Sequence, residues 1–76
     1  MPDESEIVME PVQASSRIKS MGHQGTTLRA EFPNGSIYEY DGVPAEVYEA
    51  VRSAPSVGST FHALIVDGGY EYRRIS

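Results

Sequence analysis

The chain has 76 residues, enough for one domain and no more, and a domain near 60 residues buries only ~60% of its unfolded surface. It contains no cysteine, so disulfides and thiolate metal sites are excluded and a reducing compartment is tolerated. No run of about 18 apolar residues is present, which excludes a membrane-spanning helix. The opening Met1-Pro2-Asp3-Glu4-Ser5-Glu6 is acidic, the wrong sign for a signal peptide, and a cytoplasmic location is expected. The formal net charge of −5 is unevenly placed. Asp3, Glu4, Glu6 and Glu10 stand in a stretch without a basic residue, whereas 11–76 carries seven acids and six bases. Such a near-neutral body steers neither nucleic acid nor cations strongly.

Residues 1–11 show no hydrophobic periodicity, and Pro11 interrupts the short apolar run Ile7-Val8-Met9. This segment is expected to be an acidic disordered tail, with the domain occupying 12–76. A short strand is expected over 16–20, with Ile18 on one face and Arg17 and Lys19 on the other. Gly22-His23-Gln24-Gly25 then reads as a turn.

The stretch 26–42, TTLRAEFPNGSIYEYDG, reads as a hairpin on which the rest of the chain packs. Two registers compete. A two-residue Asn34-Gly35 loop of type I′ would set Phe32 opposite Ile37 and Ala30 opposite Glu39, mixing charge with apolar side chains. A three-residue Pro33-Asn34-Gly35 loop uses the fixed φ of proline in a type I turn and a left-handed glycine. It sets Ala30 opposite Tyr38, Leu28 opposite Tyr40 and Arg29 opposite Glu39. The second register is preferred because it makes one face apolar and aromatic and the other polar, with an opposite-charge pair worth ~0.2–1 kcal/mol.

After Tyr40 the period changes. Pro44 suits a first helical position, and Glu46 suits the helix dipole in the first turn. Val47, Val51 and Ala54 recur at i, i+4 and i+7 beside Tyr48, which predicts an amphipathic helix over 44–54. Pro55 ends it. Ser56 can cap a second helix over 57–65, with Phe61, Leu64 and Ile65 facing inward; Gly58 inside it costs ~1 kcal/mol against alanine. Asp67-Gly68-Gly69 is a turn into a last strand over 70–75, with Tyr70 and Tyr72 on one face. The expected fold class is α+β: a small antiparallel β-sheet with two short helices on one face, in the order β-β-β-α-α-β. The expected core is Ile18, Leu28, Ala30, Phe32, Tyr38, Tyr40, Val47, Val51, Phe61, Leu64 and Tyr72.

Taken in order, several features form a familiar pattern. They are Ser15-Ser16, Gly22, Leu28, Phe32, Asn34-Gly35, Tyr38, Tyr40, Val43-Pro44, Tyr48, Ala54, Ser56-x-Gly58, Phe61, Ile65 and the Tyr72-Arg73-Arg74 end. Across about 12–76 the chain resembles the KTSC domain family, found as stand-alone proteins and at the C-terminus of some lysyl-tRNA synthetases. The resemblance implies an accessory module that binds RNA or other nucleic acid. Val57, Ser59, His62 and Ile65-Val66 stand where the family pattern usually has basic residues, an asparagine and Ile-Arg.

The candidate nucleic-acid-binding residues are Arg17, Lys19, Arg29, Tyr72, Arg73 and Arg74. A basic platform with stacking aromatics is what a single-strand binder needs. Glu31, Glu39, Asp41 and Glu71 are expected on the same outer face, and the simpler reading is a solvated face of ion pairs. The tyrosines have two readings as well: core residues with a hydroxyl at the rim, or exposed rings that stack bases or anchor a partner. His23 and His62 lack further ligands at metal-binding spacing, and Ser56 is explained as a helix cap. No nucleophile elbow, P-loop or Rossmann glycine pattern occurs. The expectation is therefore a non-enzymatic module without cofactor or metal. It would bind RNA or single-stranded nucleic acid weakly, or else serve protein–protein interaction or weak self-association.

Overall fold

The computed structural model describes residues 7–12 and 17–76. Its elements run β1 (Glu10–Pro11), β2 (Ser20–Gln24), β3 (Thr27–Glu31), β4 (Ile37–Tyr40), α1 (Ala45–Arg52), α2 (Val57–Phe61), a π-helical turn (His62–Val66) and β5 (Tyr72–Arg74). The strands form one sheet in the order β1-β2-β3-β4-β5, and each neighbouring pair is antiparallel. The helices lie between β4 and β5 in sequence and cover one face. The α+β architecture is as expected, with one additional two-residue strand at the start.

The central hairpin adopts the three-residue loop. Gly35 N–H donates to Phe32 O at 2.9 Å, Phe32 N–H to Ser36 O at 2.9 Å, and Ser36 N–H to Asn34 Oδ1 at 3.0 Å. Gly35 takes φ 90°, a conformation open to glycine without steric cost. The register is Leu28 opposite Tyr40, Arg29 opposite Glu39 and Ala30 opposite Tyr38. Leu28, Ala30 and Tyr40 are consequently buried on the helix side, where they meet Tyr48 and Val51 of α1 and Val57 and Phe61 of α2.

Two expectations about the N-terminal part are corrected. The strand expected over 16–20 runs instead from Ser20 to Gln24, and the turn moves to Gly25-Thr26; Ser16 lies outside the described residues. The second correction explains the first. Residues 7–11 are not a free tail: Ile7 is only 6% exposed, and Glu10 and Pro11 pair with Met21 and Ser20. A Cβ at Gly22 would collide with the Val8 carbonyl and the Ile7 side chain. Gly22 therefore belongs to a strand over which another segment passes, not to a turn. Residues 1–6, the rest of the expected tail, lie outside the described residues.

Both helix boundaries follow the prolines, with α1 beginning after Pro44 and ending before Pro55. The second helix widens after Phe61, and Asp67 N–H donates to His62 O at 2.9 Å, the i→i+5 bond of a π-turn. Widening brings the fourth residue after Phe61 into line with it rather than the third. Ile65 is thus buried at 1%, whereas Leu64, expected in the core, is 40% exposed. Tyr72, also expected in the core, is 65% exposed, because it stands on an edge strand beyond the helical cover. Met21, Val43, Tyr48 and Val57 join the core instead. Tyr48 stacks on His23 at 5.1 Å, whose Nε2–H donates to Val43 O at 2.7 Å.

Candidate nucleic-acid interface

Of the six expected binding residues, Arg29 and Arg73 stand on the outer face of the sheet, and Tyr72 and Arg74 on the opposite one. On the outer face, register alone places Glu39 between two arginines, since it faces Arg29 on β3 and Arg73 on β5. Arg29 Nε and Nη2 donate to Glu39 Oε2 at 2.9 and 2.6 Å. Arg73 Nη2 donates to the other oxygen at 2.7 Å, and its Nη1 to Asp41 Oδ2 at 2.6 Å. Charge-assisted bonds of this length are the strong ones. The arginine side chains cover Glu39 so fully that it is 2% exposed on a face that carries no helix. Lys19 Nζ lies 3.8 Å from Glu31, whose other oxygen accepts from Ser20 Oγ at 3.1 Å. Arg17 is exposed and has an interaction of its own. Arg29 and Arg73 are brought together, but around carboxylates that already neutralise them.

Tyr72 and Arg74 occupy the opposite face, because in β5 they alternate with Arg73. Tyr72 faces Tyr40, and Arg74 faces Tyr38. Here five rings form one cluster. Phe61 meets Phe32 edge-on at 6.0 Å and Tyr40 at 5.6 Å. Phe32 meets Tyr38 at 5.7 Å. Tyr72 closes the cluster, 5.7 Å from Tyr40 and 6.2 Å from Tyr38. Such spacings are those of offset or edge-to-face aromatic pairs. The cluster grades from buried Phe61 to open Tyr72. Burial, with the Tyr38 and Tyr72 hydroxyls adding to it, raises the Tyr40 hydroxyl above the usual tyrosine range, so it remains a neutral phenol at physiological pH. Arg74 Nε donates to the Ser76 backbone oxygen at 2.9 Å rather than to an acidic side chain. It is the expected cation that stands beside exposed aromatic surface.

A groove of about 490 Å³ opens elsewhere, between β1 and α1, where Tyr48 and Arg52 face Glu10. Arg52 bridges it to Glu10 at 3.4 Å and lies over the Tyr48 ring at 6.0 Å. Burial, followed by the Glu10 charge, raises the Tyr48 hydroxyl pKa, while Arg52 opposes that shift. Among the described residues no cluster of three or more His, Cys, Asp or Glu could hold a metal ion, and no helix is long and apolar enough to cross a membrane. Sequence reasoning missed Glu39 as the hub of the outer face. Its pairing with Arg29 could be read from the hairpin, but the placement of β5 beside β4 had no local signal.

The family model for the KTSC domain matches residues 14–73. Two curated lysine–tRNA ligases, from Trichormus variabilis and a Nostoc species, are 43% and 44% identical over 63 residues, 80% of this chain. The chain spans about 11% of the length of those ligases. An uncharacterized protein of Stutzerimonas stutzeri is 36% identical over 63 residues, 80% of this chain and 89% of that protein. A KTSC domain protein from Yersinia pestis, of known crystal structure, superposes with a TM-score of 0.81 at 33% identity, covering 92% of this chain and 99% of that one. With the family match spanning most of the chain and the same fold in a relative of nearly equal length, this protein belongs to the KTSC domain family.

Proposed function

We propose that this chain is a non-enzymatic, cytoplasmic accessory module that binds single-stranded RNA weakly, by stacking bases on Tyr72 and Tyr38 with Arg74 beside them. The observation that carries this reading is Tyr72, 65% exposed at the open end of a five-ring cluster, with Arg74 on the same face. Base–aromatic stacking is worth about 1–3 kcal/mol per base and tolerates any sequence, which matches a site of exposed rings with Arg74 beside them. Related domains lie within lysine–tRNA ligases, proteins whose name includes an RNA substrate. The arginines of the outer face contribute little, because a phosphate would have to displace Glu39 and Asp41 from them.

An NMR titration with a short single-stranded RNA at low salt, repeated at higher salt, tests the proposal. The expected result is chemical-shift change centred on Tyr72, Arg74 and Tyr38, abolished by Tyr72→Ala. With five basic contacts the log–log salt slope could reach about −3.5, but with Arg74 and at most one further cation it is expected near −0.7 to −1.4. No shifts at millimolar RNA, or shifts that survive Tyr72→Ala, would overturn it.

A further inference from the structure

The groove between β1 and α1 lies at the opposite edge of the sheet from Tyr72 and is independent of the proposed RNA site. Its volume of about 490 Å³ falls within the range of small-ligand pockets, about 300–1,000 Å³. Met21, Tyr48 and Val57 line it and are buried, so the interior of the groove is apolar. A methionine sulfur and a tyrosine ring together favour an aromatic body. The edge strand adds an acceptor. Val12 N–H donates to Lys19 O at 2.9 Å, and Pro11 stands opposite Ser20. Bonded and non-bonded pairs alternate along such a ladder, so the Pro11 carbonyl is turned away from β2. Proline has no N–H, and at this residue the edge therefore offers an acceptor without a donor.

A cation is already seated at the groove. Arg52 lies over the Tyr48 ring at 6.0 Å, 3.4 Å from Glu10 Oε1 and 3.3 Å from Glu49 Oε2. One positive charge thus stands between two negative ones, and it is loosely held. The arginine bonds of the outer face measure between 2.6 and 2.9 Å, the length of strong charge-assisted bonds. Arg52 is 43% exposed and the Glu10 side chain about half exposed. The second Glu10 oxygen has no partner among the described residues. An anion entering the groove would have to draw Arg52 away from both carboxylates. A cation meets Glu10 directly and leaves Arg52 on Glu49. We infer that this groove binds a small aromatic amine, with its ring against Met21, Tyr48 and Val57 and its ammonium group on Glu10.

Three probes with one aromatic body separate charge from fit: tryptamine, its alcohol counterpart tryptophol, and indole-3-acetate. Each is titrated into the full chain near neutral pH at low salt, without RNA, and followed by amide chemical shifts. Tryptamine should shift Val12, Met21, Ala54 and Val57, with a dissociation constant on the order of 1 mM, as for a ligand of about a dozen heavy atoms. Indole-3-acetate should bind roughly tenfold more weakly, with tryptophol between them. Glu10→Gln should weaken tryptamine about threefold and leave tryptophol unchanged. Arg52→Gln removes the competing internal cation and should tighten tryptamine by a similar factor. The amide spectra of the two variants report that the fold is kept. Absence of shifts at about 10 mM tryptamine, or shifts centred elsewhere, would overturn the inference. So would equal binding of all three probes, or a preference for indole-3-acetate that Arg52→Gln abolishes.

Discussion

The two faces of the sheet solve opposite problems with neighbouring residues. Odd-numbered positions of β3, β4 and β5, with Asp41 just past β4, turn outward and hold Arg29, Glu39, Arg73 and Asp41 in an ion-pair network. Even-numbered positions turn toward the helices and hold rings that grade from buried to open. The basic-looking face is the one whose charges are already satisfied, and the apolar face is the one with surface left over. A count of arginines alone would therefore point to the face whose charges already have partners. What decides is whether each cation already has a carboxylate and whether each ring already has a cover.

The comparison breaks most severely at Phe61, the ring on which the cluster is founded. Phe61→Ala should cost about 3–5 kcal/mol, a large share of the stability of so small a domain, and urea unfolding would show it. Removing the hub of the other face comes next. Glu39→Gln strips the charge partner from Arg29, whose side chain is only 16% exposed. Breaking a buried pair from one side costs about 3–5 kcal/mol, with the lower end expected here because Arg73 remains 43% exposed. The same variant sharpens the comparison, since it neutralises the carboxylate that Arg29 and Arg73 share. If the chain binds RNA, the salt slope should steepen by no more than about 0.7, one phosphate contact, since Asp41 still holds Arg73. An unchanged slope would show that the outer face takes no part even when its central carboxylate is neutralised.

Tyr72→Ala should change stability by less than about 1 kcal/mol, as befits an exposed position, while removing RNA-induced shifts. A large loss of stability would instead make Tyr72 a core residue in solution. The smallest effect expected is a pH dependence. Tyr40 has its pKa raised in the folded chain, so the fold favours its protonated form. That preference contributes nothing to pH dependence below the unfolded tyrosine value of about 10. Above it, the unfolded chain ionises first, and stability falls as pH rises toward the folded value. Urea midpoints at pH 9 and pH 11 should show the fall, and Tyr40→Phe should reduce it.

Much of this arrangement can be read from particular residues. Pro33-Asn34-Gly35 and the alternation around it determine the hairpin register, and with it the Arg29–Glu39 pair, because turn geometry and strand pairing act over a few residues. Pro44 and Pro55 bound α1 by the same local sterics. The features that the sequence concealed depend on residues far apart in the chain. Gly22 looks like a turn residue until Ile7 and Val8 pass over it. Leu64 looks buried until the helix widens. Both depend on which surfaces meet.

Composition and short-range pattern alone thus determined a single α+β domain, its central hairpin, the span of its first helix and the alternation that separates arginines from tyrosines. Tertiary structure decided which strand flanks β4, and so supplied Glu39 with a second arginine 34 residues away. It also decided how far the helices reach across the sheet, and so which ring of the cluster stays open. The physical reason is that backbone sterics and turn chemistry are settled between chain neighbours. Charge neutralisation and burial are settled only by closing long loops and bringing distant surfaces into contact.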